Sequence, residues 1–400
     1  MTKYIICLGD GMADHPIKKL GDKTPLEVAN TPNIDAISSK GVLGMVDTVP
    51  VGFNPGSDVA NMGILGFDPA QYYTGRGPIE AASMGVECAD NEMIFRCNLV
   101  SILDGLMQDF TADHISTQES TQLINELNDA FKDTAIRFVA GVSYRHIMVA
   151  PEKFAQLETV APHDILDKSV EPYWPQGELM DEFYQIIKTA NNVLAQSKIN
   201  VLRKQHNKGQ ATSIWPWSQG KYPVMDSFES KYNKTGGIVT AVDLLKGLGT
   251  LVKLETPDVE GATGFIDTNY AAKVKAALTI LETHDFCYLH IEAPDEAGHM
   301  GDAQLKIKAI EDFDAKVVGP IRDYQAINPD CVIMVLPDHP TPCDIKTHTH
   351  EPVPFCYYYP SIKTASALTY SEANAKKTDI YYENPWLLLT EFLQKAPCLT

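Results

Sequence analysis

Three apolar runs in this chain end in the same way. "KYIICLG" gives way to Asp10, "DFCYLHIEAP" to Asp295 and, four residues on, His299, and "CVIMVLP" to Asp338-His339. Short unbroken apolar runs with polar clusters at their ends mark strands covered on both faces, as in parallel sheets. Helical patterns lie between them. "TPNIDAISSKG" opens on Thr31 as N-cap with Pro32 at the first helical position and stops at Gly41; "DLLKGLG" follows the strand "GGIVTAV"; "TNYAAKVKAALTILET" and "DAQLKIKAIEDFDAKVVGPIRDYQ" read as longer helices. This alternation predicts an α/β fold with a mostly parallel sheet flanked by helices. In such sheets ligands bind at the carboxyl ends of the strands, where the acidic clusters stand.

The segment 91–168 has another texture. "MIFRCNLVSI", "LMQDFTA" and "AIRFVAGVSYRHIMVA" read as antiparallel strands around one helix, "STQESTQLINELNDAF". We expect a smaller inserted α+β domain at 91–168, within a discontinuous catalytic domain of 1–90 and 169–400; 400 residues suit two domains. "QGELMDEFYQIIKTANNVLAQSKINVLRKQ" reads as one long helix returning to the main domain.

The formal net charge of −19 argues against a nucleic-acid partner, and an anionic substrate would need local arginines or metal ions against that field. The eight cysteines (7, 88, 97, 287, 331, 343, 356 and 398) form no CxxC pair, which suits reduced thiols. The N-terminus lacks signal-peptide architecture and no apolar stretch reaches membrane-spanning length. A cytoplasmic protein with no membrane partner is expected; oligomeric state is left open.

Asp10, Ser57, Asp295, His299, Asp338, His339 and His348 are hard ligands at or near predicted strand ends. Seven such groups are too many for one ion that keeps open positions, so two divalent cations are the natural count. In "PVGFNPGSDVANMGILGFDP", Ser57 precedes a helical stretch. It is either the cap of that helix or a nucleophile. Paired cations would depress its hydroxyl pKa, neutralise an incoming phosphate and stabilise an in-line displacement, beside a helix N-terminus suited to anions.

These motifs resemble the alkaline phosphatase superfamily and, within it, the archaeal-type cofactor-independent phosphoglycerate mutases. "GDGMAD", "TPNIDAI", "GSDVANMGILGFDP", "YTGRGPIEA", "SYRHIMV", "IEAPDEAGH", "DHPTP" and "HTHEPVPF" carry the resemblance over nearly the whole chain. It implies an alkaline-phosphatase-like catalytic domain. Asp10, Ser57, Asp338 and His339 would hold one metal and Asp295, His299 and His348 the other. His348 is preferred to His350 because the family's ligand stands four residues before the first proline of Pro-Val-Pro, here Pro352. Ser57 would be phosphorylated transiently while the inserted domain grips the glycerate, so that no 2,3-bisphosphoglycerate is needed. Manganese is the first choice of metal; zinc, cobalt and magnesium also fit. Arg76, Arg96 and Arg145 suit a small phosphorylated substrate's carboxylate and phosphate, and His163 or Asp164 could move protons on its hydroxyls. Arg203 joins them by analogy only. One departure stands out: after Trp215-Pro216-Trp217 the family usually has glycine, and this chain has Ser218.

Other readings remain on this scaffold. A homoserine-kinase-like phosphotransferase is weakened by the lack of a GxxxxGK[ST] loop. A sulfatase would need a Cys/Ser-x-Pro-x-Arg segment, which "GSDVAN" lacks. A phosphatase would need water where a closing insert excludes it, and a degenerate binding protein would have lost ligands that are all present here.

Overall fold

The computed structural model describes residues 2–363 and 365–395; Cys398 lies outside them. Two compact units emerge: Met1–Tyr73 with Met225–Thr400, and Thr74–Val224. Their strands, in chain order, are β1 (Lys3–Gly9), β2 (Val42–Val46), β3 (Glu92–Leu103), β4 (Leu106–Asp109), β5 (Arg137–Val139), β6 (Arg145–Pro151), β7 (Ser213–Gly220), β8 (Gly236–Val239), β9 (Phe286–Ile291), β10 (Cys331–Leu336), β11 (Val353–Tyr358) and β12 (Tyr381–Tyr382).

The first unit holds a seven-stranded sheet in the order β12-β2-β11-β10-β1-β9-β8. Every pairing is parallel except those of β11 with β10 and with β2. The apolar runs fill the centre: β9 and β10 are buried at every residue, because helices cover both faces. Ile5, Cys7, Leu289 and Ile333 pack against Leu281, Phe313 and Val317. Each such side chain contributes roughly 1.5–3 kcal/mol of transfer free energy.

The expected helix at 302–325 is interrupted. Ala303–Phe313 and Gly319–Ile327 are α-helical, and Asp314–Val318 between them is a π turn. Pro320 has no N–H to donate back, so the regular ladder cannot run through. The distortion has a use. Asp314 accepts hydrogen bonds from the N–H groups of Ile34 (2.7 Å) and Asn33 (3.3 Å), satisfying the start of the Pro32–Lys40 helix, whose N-cap Thr31 makes no side-chain bond.

The second unit is a sheet in the order β4-β3-β6-β5 with β7 on the other side of β3, all antiparallel. The helices Thr117–Phe131 and Met180–Gln196 bury Leu123, Leu127, Phe183, Ile187 and Leu194 against one face. The Arg76–Ser83 helix sets Ala81 against Ile94, Ile147 and Val149. This unit is larger than the 91–168 expected, because β7 completes its sheet and the Met180–Gln196 helix completes its core. The helix expected to lead back to the main domain therefore stays here. It also breaks at Ser197, whose hydroxyl accepts the Ile199 N–H (3.1 Å) and caps a separate helix, Lys198–Gln205.

Among the described residues no helix is long and apolar enough to cross a membrane, and seven cysteines are free.

A buried ion pair ties the loop after β1 to the loop after β10. Lys306 Nζ donates to Asp14 Oδ2 (2.8 Å) and to the carbonyls of Ala13 (3.0 Å) and Thr341 (2.9 Å). Lys306→Met would leave the Asp14 carboxylate buried without its counter-charge. We expect a loss of about 3–5 kcal/mol, read as a lower urea midpoint at unchanged m-value; a loss below about 1 kcal/mol would show that the pair is dispensable.

Candidate active site

In the parallel sheet β10, β1 and β9 are neighbours, with Leu8 opposite both Leu336 and His290. Their carboxyl ends therefore open side by side. Asp10 follows β1; Asp338 and His339 follow β10; Asp295 and His299 stand four apart on the Ala293–Met300 helix after β9, on one helical face. The long excursion from β10 to β11 adds His348. Two groups of ligand atoms result, Asp10–Asp338–His339 and Asp295–His299–His348, each within 4.8 Å of one another. His350 is exposed and belongs to neither. The groups adjoin: the rings of His339 and His348 lie 4.0 Å apart between centroids, and Thr341 Oγ1 donates to Asp295 Oδ1 (2.5 Å). Gly11 explains the Gly-Asp-Gly motif. Its φ is +60°, and a Cβ there would stand 2.7 Å from the Asp295 Cα.

Ser57 is not a cap. Gly56 occupies the N-cap position of the Ser57–Ile64 helix, and no side chain caps it. Ser57 is the first helical residue, and its Oγ lies 3.1 Å from His339 Nε2. The hydroxyl is thus at the ligand groups, at the positive end of a helix.

The ligand atoms are arranged for cations. Asp10 Oδ1 is buried with no hydrogen-bond partner among the described residues. His299 Nδ1 (3.0 Å) and His348 Nδ1 (3.3 Å) face the carbonyls of Lys346 and Pro55, which can only accept, so both Nδ1 atoms carry the hydrogen. The Nε2 atoms are therefore turned toward each other, 3.0 Å apart, and toward Asp295 at 3.2 and 3.4 Å. Only a proton or a cation relieves that arrangement. Burial, then Asp338, Asp295 and Glu292, push the Asp10 carboxyl well above its usual range. Burial also acts against Asp295, but its bonds to His299 and His348 hold it well below. His299, despite burial, is raised to about 9 by Asp295. The donor set fits two divalent cations.

Residues that no motif singled out complete the site. His290, kept neutral by burial with its pKa lowered to about 3, bonds Asp10 Oδ2 (2.9 Å) and Thr240 Oγ1 (3.2 Å) through its two nitrogens. It orients Asp10, as outer partners of metal ligands commonly do. Asn61 Nδ2 donates to Asp338 and to the Ser57 carbonyl, and the Tyr288 hydroxyl donates to Asn61 Oδ1. The available signals were a polar residue inside the apolar run "FCYLHI" and an amide one helical turn after Ser57.

In the second unit, Arg76 Nε bonds Glu80 Oε1 (2.7 Å) and Arg96 Nε lies 3.0 Å from Glu80 Oε2. Arg145, exposed, is near enough to both to act on them electrostatically. Burial opposes ionisation of Glu80, but these arginines hold its carboxyl below the usual range. Burial lowers Arg96 to about 10, and its guanidinium lies over the Trp217 ring at 4.8 Å. The His163 ring packs edge-on to Trp217 and Phe110, and Asp164 is exposed. Arg203 differs from the expectation. It is 2% exposed, and its Nε, Nη1 and Nη2 each donate at 2.7 Å, to Gly209 O, Glu119 and Ala112 O. Its guanidinium clamps the unit's own loops.

A hydroxyl beside two carboxylate–imidazole groups at the carboxyl edge of an α/β sheet is an arrangement that could hold divalent cations beside a nucleophile, the equipment of metal-assisted group transfer. The comparisons narrow the class. The sequence profile described as 2,3-bisphosphoglycerate-independent phosphoglycerate mutase matches residues 38–200. A relative of that name from Methanosarcina mazei is 48% identical over 359 residues, 89% of this chain and 90% of its own. One from Methanothermobacter thermautotrophicus is 47% identical over 354 residues, 88% and 87% of the two chains. A solved structure from Pyrococcus horikoshii superposes with a TM-score of 0.83 at 26% identity, covering 100% of this chain and 99% of the other. The cofactor-independent phosphoglycerate mutase of Thermoplasma acidophilum shares the fold, with a TM-score of 0.66 at 24% identity over 98% and 99% of the chains. The chain belongs to the 2,3-bisphosphoglycerate-independent phosphoglycerate mutase family.

Because His299 titrates at about 9, a cation entering at pH 7 must displace a proton. Apparent Mn2+ affinity should then rise by up to about tenfold per pH unit from 7 toward 9 and flatten above. Calorimetry in buffers of differing ionisation enthalpy reads the released protons. An affinity flat across that range would contradict the assignment.

Proposed function

We propose that this protein interconverts 3-phosphoglycerate and 2-phosphoglycerate through a phosphoserine at Ser57. The observation that carries the reading is the Ser57 hydroxyl, excused from capping by Gly56 and 3.1 Å from His339 of the first ligand group. Asp10, Ser57, Asp338 and His339 would hold one divalent cation, and Asp295, His299 and His348 the other. Bound there, the pair would neutralise phosphate charge and favour the ionised serine; manganese is our choice of metal.

The chain's own groups do the rest. Ser57 Oγ forms a bond to phosphorus as the bond from phosphorus to the substrate's C3 oxygen breaks, leaving phosphoserine and glycerate. The N–H groups at the start of its helix face the added negative charge. The C2 hydroxyl then attacks the same phosphorus, and Ser57 is released. Retention of glycerate falls to Arg76, Arg96 and Arg145. Their planar guanidiniums, with Arg76 and Arg96 set on Glu80, suit the substrate's carboxylate or phosphate. His163 and Asp164 are our candidates for moving protons on the hydroxyls. The free thiols suit a reducing cytoplasm.

An enolase-coupled assay with 3-phosphoglycerate and Mn2+, free of 2,3-bisphosphoglycerate, tests the proposal. Ser57→Ala should lower kcat by about a thousandfold or more. Arg145→Ala should raise KM about tenfold with kcat little changed, as expected for one lost charge-assisted bond. A Ser57→Ala variant with near-normal rate would exclude the covalent route. Phosphate release without 2-phosphoglycerate would make the enzyme a phosphatase, and turnover only with ATP and homoserine a kinase.

A further inference from the structure

Ser57 and Asn61 are one helical turn apart, so both side chains leave the same face of the Ser57–Ile64 helix. They meet consecutive residues of the loop after β10: Ser57 Oγ stands 3.1 Å from His339 Nε2, and Asn61 Nδ2 donates to Asp338 Oδ2 at 2.8 Å. The same Nδ2 also donates to the Ser57 carbonyl (2.8 Å). The orientation of the amide is not free. Tyr288, on β9, donates its hydroxyl to Asn61 Oδ1, which fixes the oxygen on that side and turns both N–H groups to Ser57 and Asp338.

We infer that Asn61 is a positioning residue, locking the backbone of the nucleophile serine to the metal-ligand aspartate Asp338, with Tyr288 setting its orientation. The assignment rests on the mutase reading for its consequence in turnover, but not for its geometry. Asn61, Tyr288 and Asp338 are each 0% exposed. Burying an amide and a phenol costs several kcal/mol unless every polar atom is paired, and here each finds a partner. The Ser57 carbonyl gains little from the bond for its own sake, since helix geometry already gives it the N–H four residues on. What the amide adds is a second point of attachment. With Ser57–His339 alone, the helix could pivot about one contact; with Asn61–Asp338 beside it, rotation of the helix is blocked. Asp338 is fixed in turn, because its Oδ1 accepts from the N–H groups of Gly11 (3.1 Å) and His339 (3.0 Å). The chain thus holds nucleophile and ligand in one frame spanning β1, β9, β10 and the helix.

The test uses the full chain and two variants, Asn61→Ala and the nearly isosteric Tyr288→Phe. Turnover of 3-phosphoglycerate is measured at saturating Mn2+. Separately, the metal-free proteins are titrated with Co2+, whose visible absorption reports ligand geometry without turnover. Asn61→Ala should lose about a hundredfold in kcat, the scale of an ångström-level misplacement. Tyr288→Phe should lose about three- to tenfold. Both should keep KM within about twofold, bind as much Co2+ as the parent and show shifted visible bands. If Asn61→Ala does not fold, Tyr288→Phe decides alone. A kcat within twofold of the parent, recovery of rate on adding excess metal, or an unchanged Co2+ spectrum would overturn the inference. Were the parent itself inactive on 3-phosphoglycerate, the mutase reading would fail. The Co2+ bands would then judge Asn61 by themselves, a shift supporting the role and no shift refuting it.

Discussion

The parallel register of β10, β1 and β9 is the constraint on which the site depends. Adjacent strands sit about 4.8 Å apart, and parallel pairing points all three carboxyl ends to one edge. Asp10 and Asp338 thus become neighbours although 327 residues separate Asp338 from the N–H of Gly11 to which it bonds. The single reversed strand matters as much. Because β11 runs antiparallel to β10, the chain need not cross the sheet between them. It remains at the carboxyl edge from 337 to 352, and one excursion can supply Asp338, His339 and His348.

That concentration of acid is costly. Asp10, Asp295 and Asp338 are buried together in a chain of formal net charge −19. A buried charge without a partner costs several kcal/mol. The protein answers part of this internally: His290 and Asn61 donate to Asp10 and Asp338, while His299 and His348 turn toward Asp295. The remainder is left open, as Asp10 Oδ1, without a hydrogen bond among the described residues, and the facing imidazole nitrogens show. Local frustration of this kind, inside an otherwise well-satisfied core, is where a bound cation would be stabilising, and it belongs to sites selected for chemistry.

Part of this was legible in the sequence, because several carboxylates and imidazoles recur together at the ends of apolar strands. The strand ends, the preference for His348 over His350 and the proximity of Ser57 to the acids could be reasoned from pattern and resemblance. What escaped has a common cause. His290, Asn61 and Tyr288 act through other residues, and only strand register and helical phase reveal whom they touch. Arg203 was selected by analogy of residue type, whereas its environment, three bonds to its own unit, decides its role. The unit boundary fell outside 91–168 because β7 pairs with β3 across more than a hundred residues, a distance at which local pattern carries no information.

The departure at Ser218 shows how such a chain accommodates change. Ser218 stands where the resemblance led us to expect the family's usual glycine, and it takes φ +47°, a left-handed conformation costing a non-glycine residue roughly 1–2 kcal/mol. Its hydroxyl accepts the N–H of Arg76 at 2.9 Å, at the start of a helix that no side chain of its own caps. Such a bond returns roughly 0.5–1.5 kcal/mol, so strain and gain nearly cancel. The backbone there has no other latitude: a Cβ on Gly77 would lie 2.8 Å from the Ser218 carbonyl and 2.9 Å from the Arg96 nitrogen. That close crossing sets Arg76 and Arg96 on either side of Glu80. The serine therefore keeps a glycine's conformation while adding a cap, and the guanidinium cluster is preserved by a different local balance of forces.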